Sequence, residues 1–225
     1  MNSGNNPSID PADQDTLAGA LRFSFNKLIQ QINGMLPAKV IKYDRDANRV
    51  QVQLLIAIVT TDGSRVSRPQ IASIPVLVMG GGNLMINFPL KPGDLGWVMA
   101  NDRDISLFLQ SYIESPPNTS RVKNFSDGLF IPDVMKGYTI DPTDADNAVI
   151  STVDGTIRIS IGPTGVKITS PVPVTIDGPL TVTGALDIQG GMTASGGAGP
   201  NPFTITGNVL VTGNIGATGT ITPGV

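Results

Sequence analysis

The chain contains no cysteine and no histidine, and aromatic residues make up only 5% of its 225 residues. It therefore cannot form a disulfide, a thiol nucleophile, a histidine-assisted triad or an imidazole metal ligand. The net charge is −3, so the basic excess typical of nucleic-acid binding is missing. No apolar run approaches the ~20 residues that span a bilayer. We expect a soluble protein made in a cytoplasm, with no catalytic or metal site, no cofactor and no nucleic-acid partner.

The composition changes near residue 150. Residues 151–225 hold five of the 33 charged residues but 15 of the 26 glycines, together with many Thr, Val and Ile. Low charge combined with β-branched residues argues against disorder and favours β structure. We expect four regions: an N-terminal arm and amphipathic helix (1–36), an OB-like antiparallel β-barrel (37–115), a connector (116–150) and a β-helical region (151–225).

Apolar side chains recur at helical spacing near the start of the chain. Asp10 and Pro11 are typical of a helix start, and Gly34 and Pro37 are typical of its end. The stripe either packs on its own domain or docks on a neighbouring subunit. Its members form a candidate contact face: Leu17, Leu21, Phe25, Leu28 and Ile32.

From residue 40 to residue 110 the pattern becomes that of β-strands. Val50, Val52 and Leu54 alternate with polar residues, as in a half-buried strand. The segment 61–64 is a hairpin signal, and residues 105–109 are predicted as the last of about five strands. Five antiparallel strands with short connections suit a small closed barrel of the OB type.

Glycine recurs at intervals of six in the last 50 residues, which indicates a repeat of very short strands. The predicted corner glycines are Gly178, Gly184, Gly190, Gly207, Gly213 and Gly219. The third residue of each unit, and most often the fifth, is apolar and points inward on a pleated strand. These residues form the predicted needle core: Leu180, Val182, Leu186, Ile188, Met192, Val209, Val211, Ile215 and Ile221.

Two architectures fit such a hexad: a left-handed β-helix of one chain, and an intertwined β-helix or prism of three chains. Six hexads would give one chain only two coils, fewer than repeat stacks need. Two inward residues contribute about 1.5–3 kcal/mol each, which cannot offset ordering six residues at about 1–2 kcal/mol each without neighbouring strands. We therefore favour a trimer. Upstream, residues 157–161 and 166–169 alternate as longer strands that would widen this needle.

Several segments resemble the N-terminal OB-like domain of central spike proteins of contractile-tailed phages. They are Pro37-Ala-Lys-Val40, the strand from Arg49 to Ile58, Phe88-Pro-Leu-Lys-Pro-Gly-Asp-Leu-Gly-Trp-Val-Met-Ala-Asn-Asp-Arg-Asp104, and Phe125-Ser-Asp-Gly-Leu-Phe-Ile-Pro132. The resemblance covers residues 12–135. The glycine repeat is similar to spike β-helices in character rather than in a specific motif.

This resemblance implies a homotrimer in the virion, at the tail baseplate, that pierces the host outer membrane when the sheath contracts. The N-terminal end would attach to a hub protein. Many such spikes hold a metal ion at the apex with His-x-His pairs, which a chain without histidine cannot do. We therefore expect a separate tip protein at the C-terminal end.

Other readings are weaker. A trimeric tail fibre that binds a receptor shares the β-helix but usually ends in a broad recognition head. A hexapeptide-repeat acyltransferase would normally use a histidine. A two-carboxylate glycosidase would have to use a pair such as Asp102 and Asp104, which we expect instead to be solvated charges in a turn.

Overall fold

The computed structural model describes residues 16–60, 62–192, 206, 208–214 and 216. The chain divides into two compact units, Met1–Pro173 and Val174–Val225. The first unit is mainly β with one N-terminal helix, so the expected fold class is confirmed for this unit.

Helix α1 spans Leu17–Gln30. Thr16 caps it, because its backbone is extended and its Oγ1 accepts a hydrogen bond from the Gly19 N–H at 3.0 Å. The helix therefore begins later than predicted, and the predicted start at residues 10–11 lies outside the described residues. At the other end the Gln31 N–H donates to the last turn, so Ile32 lies just past the helix.

The first unit contains twelve described strands. They are β1 (Met35–Asp44), β2 (Arg49–Leu54), β3 (Ile58–Val59), β4 (Arg65–Val66), β5 (Ile71–Pro75), β6 (Met79–Gly81), β7 (Leu84–Ile86), β8 (Leu95–Arg103), β9 (Val122–Pro132), β10 (Ala148–Ser151), β11 (Arg158–Gly162) and β12 (Gly165–Thr169). A short helix α2 (Phe108–Ser111) precedes β9, and a 3-10 turn (Pro142–Asp144) precedes β10.

Five of these strands form a nearly closed antiparallel barrel in the order β5–β2–β1–β8–β9. The two outer strands meet through a parallel bridge between Val76 and Phe130, and the Leu77 N–H donates to the Phe130 carbonyl at 2.8 Å. This order, with a parallel closure between the outer strands, is OB-like. Strands β3–β4 and β6–β7 form two separate hairpins.

The barrel interior is built by alternation. Every second residue of β2 is buried, as the period of a half-buried strand requires. Gly96 leaves room for the Phe130 ring, because a Cβ at Gly96 would overlap that ring and the Ile131 carbonyl oxygen. The buried apolar residues form one cluster: Ala38, Val40, Val50, Val52, Leu54, Ile71, Ile74, Val76, Val98, Ala100, Phe125 and Phe130.

The last barrel strand is not where the sequence predicted it. Residues 105–109 form a turn and the start of α2, so the prediction of a strand there is wrong. The fifth strand is β9, which lies within the segment 116–150 that the sequence suggested as a connector. The register between β8 and β9 shifts between Met99 and Asn101, and this irregularity hides the alternation of β9.

The chain enters and leaves the barrel at opposite ends of β8. Just after α1, Asn33 donates to the Lys123 carbonyl at the start of β9 (2.9 Å). The Ala100 N–H donates to the Gly34 carbonyl nearby (2.9 Å). At the far end of the barrel Gly96 pairs with Pro132, the last residue of β9.

The strands β10, β11 and β12 form a separate antiparallel sheet in chain order. Ile159, in the central strand, pairs with Ile150 on one side and with Ile168 on the other. Gly155 has φ 72° in the turn before β11, and Gly162 pairs with Gly165 at the tight turn after it. The two upstream strands predicted from alternation are therefore confirmed as β11 and β12.

Candidate assembly surfaces

One face of the β10–β12 sheet is entirely apolar and exposed. Paired residues of neighbouring strands share a face of a sheet, so the register places six apolar side chains together. We call this set the collar face: Ala148, Ile150, Ile159, Ile161, Val166 and Ile168. Ile159 is the least exposed of its large side chains at 39%, and Val166 is the most exposed at 68%. Such a contiguous apolar patch is typical of an interaction site.

The opposite face of the same sheet is polar and covered by the chain's own segment before β10. Arg158 donates through Nε to Asp144 at 2.6 Å and through Nη2 to Asp141 at 2.9 Å. Ser160 donates to the second oxygen of Asp144 at 2.6 Å. Asp144, Arg158 and Ser160 are all buried, and a buried charge is tolerated when it is paired and hydrogen-bonded in this way.

These contacts set the electrostatics of the polar face. The hydrogen bond from Ser160 and the ion pair with Arg158 lower the pKa of Asp144 from 3.8 to about 2. The pKa of Asp141 is also lowered, mainly by hydrogen bonds from Thr143. Both carboxylates are therefore charged at neutral pH and hold Arg158 between them.

Asn147 completes this polar layer. It donates to Asp144 at 3.2 Å and to the Ser160 hydroxyl at 2.9 Å. Gly162 allows the approach, because a Cβ there would overlap the Asn147 amide. The polar face is thus fixed against the chain's own loop, while the collar face is left open.

The predicted needle core is exposed in the isolated chain. Seven of its nine residues lie in the described part, and all seven are 46% or more exposed: Leu180, Val182, Leu186, Ile188, Met192, Val209 and Val211. Ile215 and Ile221 lie outside the described residues. In the described part of residues 174–225, no residue belongs to a helix or a strand.

The predicted corner glycines differ from one another in conformation. Gly178 and Gly213 have φ angles of 142° and 140°, in the region that favours glycine. Gly184 and Gly190 are not among the glycines with positive φ. Gly207 and Gly219 lie outside the described residues.

The predicted contact face of α1 is also open. Leu17 is 79% exposed and Leu21, the least exposed of its five members, is 51% exposed. The stripe therefore does not pack on the described part of its own domain. A second open apolar surface, which sequence reasoning missed, is the hairpin β6–β7, where Leu84 and Met85 are 83% and 75% exposed. The uncharged run of residues 69–90 was its signal in the sequence.

Asp104 is not the solvated turn residue that the sequence suggested. It is 4% exposed and pairs with Arg121 at 3.1 Å, and Arg121 also pairs with Asp127 at 2.8 Å. Hydrogen bonds from Ser106 and Thr119, with Arg121, lower the pKa of Asp104 to about 2. Asp102, by contrast, has a 79% exposed side chain, which pairs with Lys123. The cluster of Asp104, Arg121 and Asp127 holds the loop between β8 and β9 against the barrel.

The described residues contain neither a membrane-spanning helix nor a cluster of metal ligands. None of the described helices is long and apolar enough to cross a membrane. Within the same residues there is no group of three or more His, Cys, Asp or Glu residues that could hold a metal ion.

Comparison with known proteins relates the barrel to a phage protein family. Residues 36–133 match the family model described as the phage protein Gp138 N-terminal domain. The match begins at the second residue of β1 and ends one residue after β9, so it covers the barrel except for Met35. No curated protein matches the chain. The match supports a phage structural protein.

Proposed function

We propose that this chain is the homotrimeric central spike of a contractile phage tail baseplate, which pierces the host outer membrane when the sheath contracts. In this proposal the function is mechanical, and the chain is not an enzyme. Residues 151–225 form the spike, its glycine hexads begin at Gly178, and the three chains braid around one axis.

The main support for the proposal is the exposure of the apolar residues of the tail. Its predicted core residues fall in two runs of hexad spacing, one from Leu180 to Met192 and one from Val209 to Ile221, yet those described are at least 46% exposed in the single chain. Apolar side chains of this size are stabilised by removal from water, and the described tail offers no strand of its own to cover them. Strands from two further copies would supply the missing neighbours.

Two observations support the role at the baseplate. The barrel matches a phage protein domain, and the chain enters and leaves the barrel at opposite ends of β8. One end of the barrel, with the open stripe of α1, is then available to a hub protein. The chain leaves the other end of the barrel at Pro132, and a separate tip protein would close the terminus of the tail.

Native mass of the purified full chain tests the trimer. We expect about 70 kDa, three times the chain mass of 23.5 kDa, and a stable species of 23.5 kDa would contradict the proposal. Antibody labelling of isolated tails of the phage that encodes the chain tests the location. Label at the centre of the baseplate is expected, whereas label on peripheral fibres would favour the receptor-binding alternative.

A further inference from the structure

We propose that the collar face is an interface between copies of this chain, so that three β10–β12 sheets enclose an apolar core just before the tail. The proposal rests on the proposed function for the number of copies. It adds a second site of association, in the first unit, to the one in the needle.

The chemistry of the collar face fits a permanently covered surface. Its six residues are Ala, Ile and Val, and the charged residues of the same strands, Arg158 and Lys167, pair with residues of the opposite face. Cores of stable interfaces are depleted in charge. A partner that binds through charge or hydrogen bonds would find neither on this face.

The chain itself does not cover the collar face within its described residues. Every large side chain of the face is at least 39% exposed. The sheet cannot turn this face inward either, because its other face is fixed to the loop before β10 through Arg158 and Ser160. The cover must therefore come from another molecule.

The occupant we infer is a second and third copy, because of how closely the sheet precedes the tail. Only residues 170–173 separate β12 from the second unit, and four residues span at most ~14 Å. If three tails braid around one axis, three copies of β12 are tethered close to it. This tethering gives the sheets a high effective concentration for one another, and a foreign protein would have to enter between them.

Single-cysteine cross-linking tests the proposal in the full chain, which has no cysteine of its own. Ile159→Cys places a thiol at the centre of the collar face. Ser151→Cys is the matched control, because Ser151 is exposed and pairs with Arg158 on the opposite face. With oxidation by copper phenanthroline, which joins neighbouring thiols without a linker inside the core, we expect Ile159→Cys to give covalent dimers at least tenfold faster than Ser151→Cys. At most two of the three chains in each trimer would be linked.

A substitution gives an independent readout. Ile159→Asp would place one carboxylate per copy in an enclosed apolar core, so we expect dissociation of the assembly at a lower temperature or at a higher protein concentration than for the original chain. Ser151→Asp is expected to leave both unchanged. Trp97 fluorescence reports whether the barrel of each variant is folded.

The outcomes separate this inference from the proposed function. A trimeric native mass with fast cross-linking at Ile159 supports both. A trimeric mass with equally slow cross-linking at Ile159 and Ser151 overturns the inference and leaves the spike proposal standing. A monomeric mass overturns the spike proposal, and the inference falls with it. A dimeric mass with fast cross-linking at Ile159 contradicts the threefold arrangement.

Discussion

The barrel and the tail contain the same aliphatic residue types, but the barrel buries them and the described tail leaves them exposed. In the barrel Val50 and Val52 are at most 1% exposed, whereas in the tail Val182 and Val211 are 46% and 48% exposed. The barrel strands find their neighbours within one chain, and the described tail residues do not. Alternation therefore fixes which side of a strand is apolar, but the supply of neighbouring strands decides whether that side is buried.

A charged residue in the tail gives the strongest test of this difference between barrel and tail. We expect Val182→Asp to speed cleavage of the tail in limited proteolysis at least tenfold, because in the proposed trimer three carboxylates would meet in a dry core. The barrel should unfold as before when followed by Trp97, the only tryptophan. Thr183→Asp is the control, since the next residue of an extended chain points the other way. Equal cleavage of the two variants would contradict a buried tail.

The next largest effect should come from emptying the barrel. Phe130 is fully buried and belongs to the bridge that closes the barrel. We expect Phe130→Ala to lower the free energy of unfolding by about 3–5 kcal/mol, measured by denaturant titration with Trp97 fluorescence. The control is Phe88→Ala, because Phe88 is 51% exposed. Similar losses for the two variants would show that Phe130 does not anchor the core.

Overfilling the barrel should cost less. The Cβ of Gly96→Ala would overlap the Phe130 ring and the Ile131 carbonyl oxygen, and overpacking of this kind costs about 1–3 kcal/mol. Gly81→Ala serves as the control, because a Cβ at Gly81 meets no atom within 4 Å. Thermal unfolding of the two variants measures the difference. A Gly96 variant as stable as the Gly81 variant would contradict the close approach of β8 to Phe130.

The smallest effect is expected from lowering the pH, which affects stability only below about pH 4. The pKa of Asp144 is about 2 in the folded chain, against an ordinary value of 3.8. A lowered pKa stabilises the fold above about pH 4, and this contribution is lost as the pH falls towards 2. We expect the protection of the β11 amides, relative to their intrinsic exchange rate at each pH, to fall over this range. Asp144→Asn should remove that part of the pH dependence, and an unchanged profile in the variant would exclude Asp144 as its source.

Several elements of the fold were predictable from local sequence. Alternation at Val50, Val52 and Leu54 marked β2, and alternation within residues 157–161 and 166–169 marked β11 and β12. The OB-like barrel was expected from a series of antiparallel strands and from the family resemblance, although its last strand is β9 rather than residues 105–109. Local pattern is sufficient wherever the neighbouring strand follows directly in the chain.

What sequence reasoning missed depends on distant contacts. The burial of Asp104 requires Arg121, which lies 17 residues away. The residues next to Asp104 in the sequence do not indicate this partner. The burial of Arg158 also depends on distant partners, because Asp141 and Asp144 lie before β10 in the chain. The needle stays a prediction, because its partners would be other copies of the chain.

The entry and exit points of the barrel have a consequence for how it carries a load. Tension or compression applied between α1 and the segment after Pro132 runs along β1, β8 and β9 rather than across them, because these points lie at opposite ends of β8. The hydrogen bonds of these ladders lie across the strands, so such a load shears many of them at once. They would have to fail together, whereas a perpendicular pull would open them one after another.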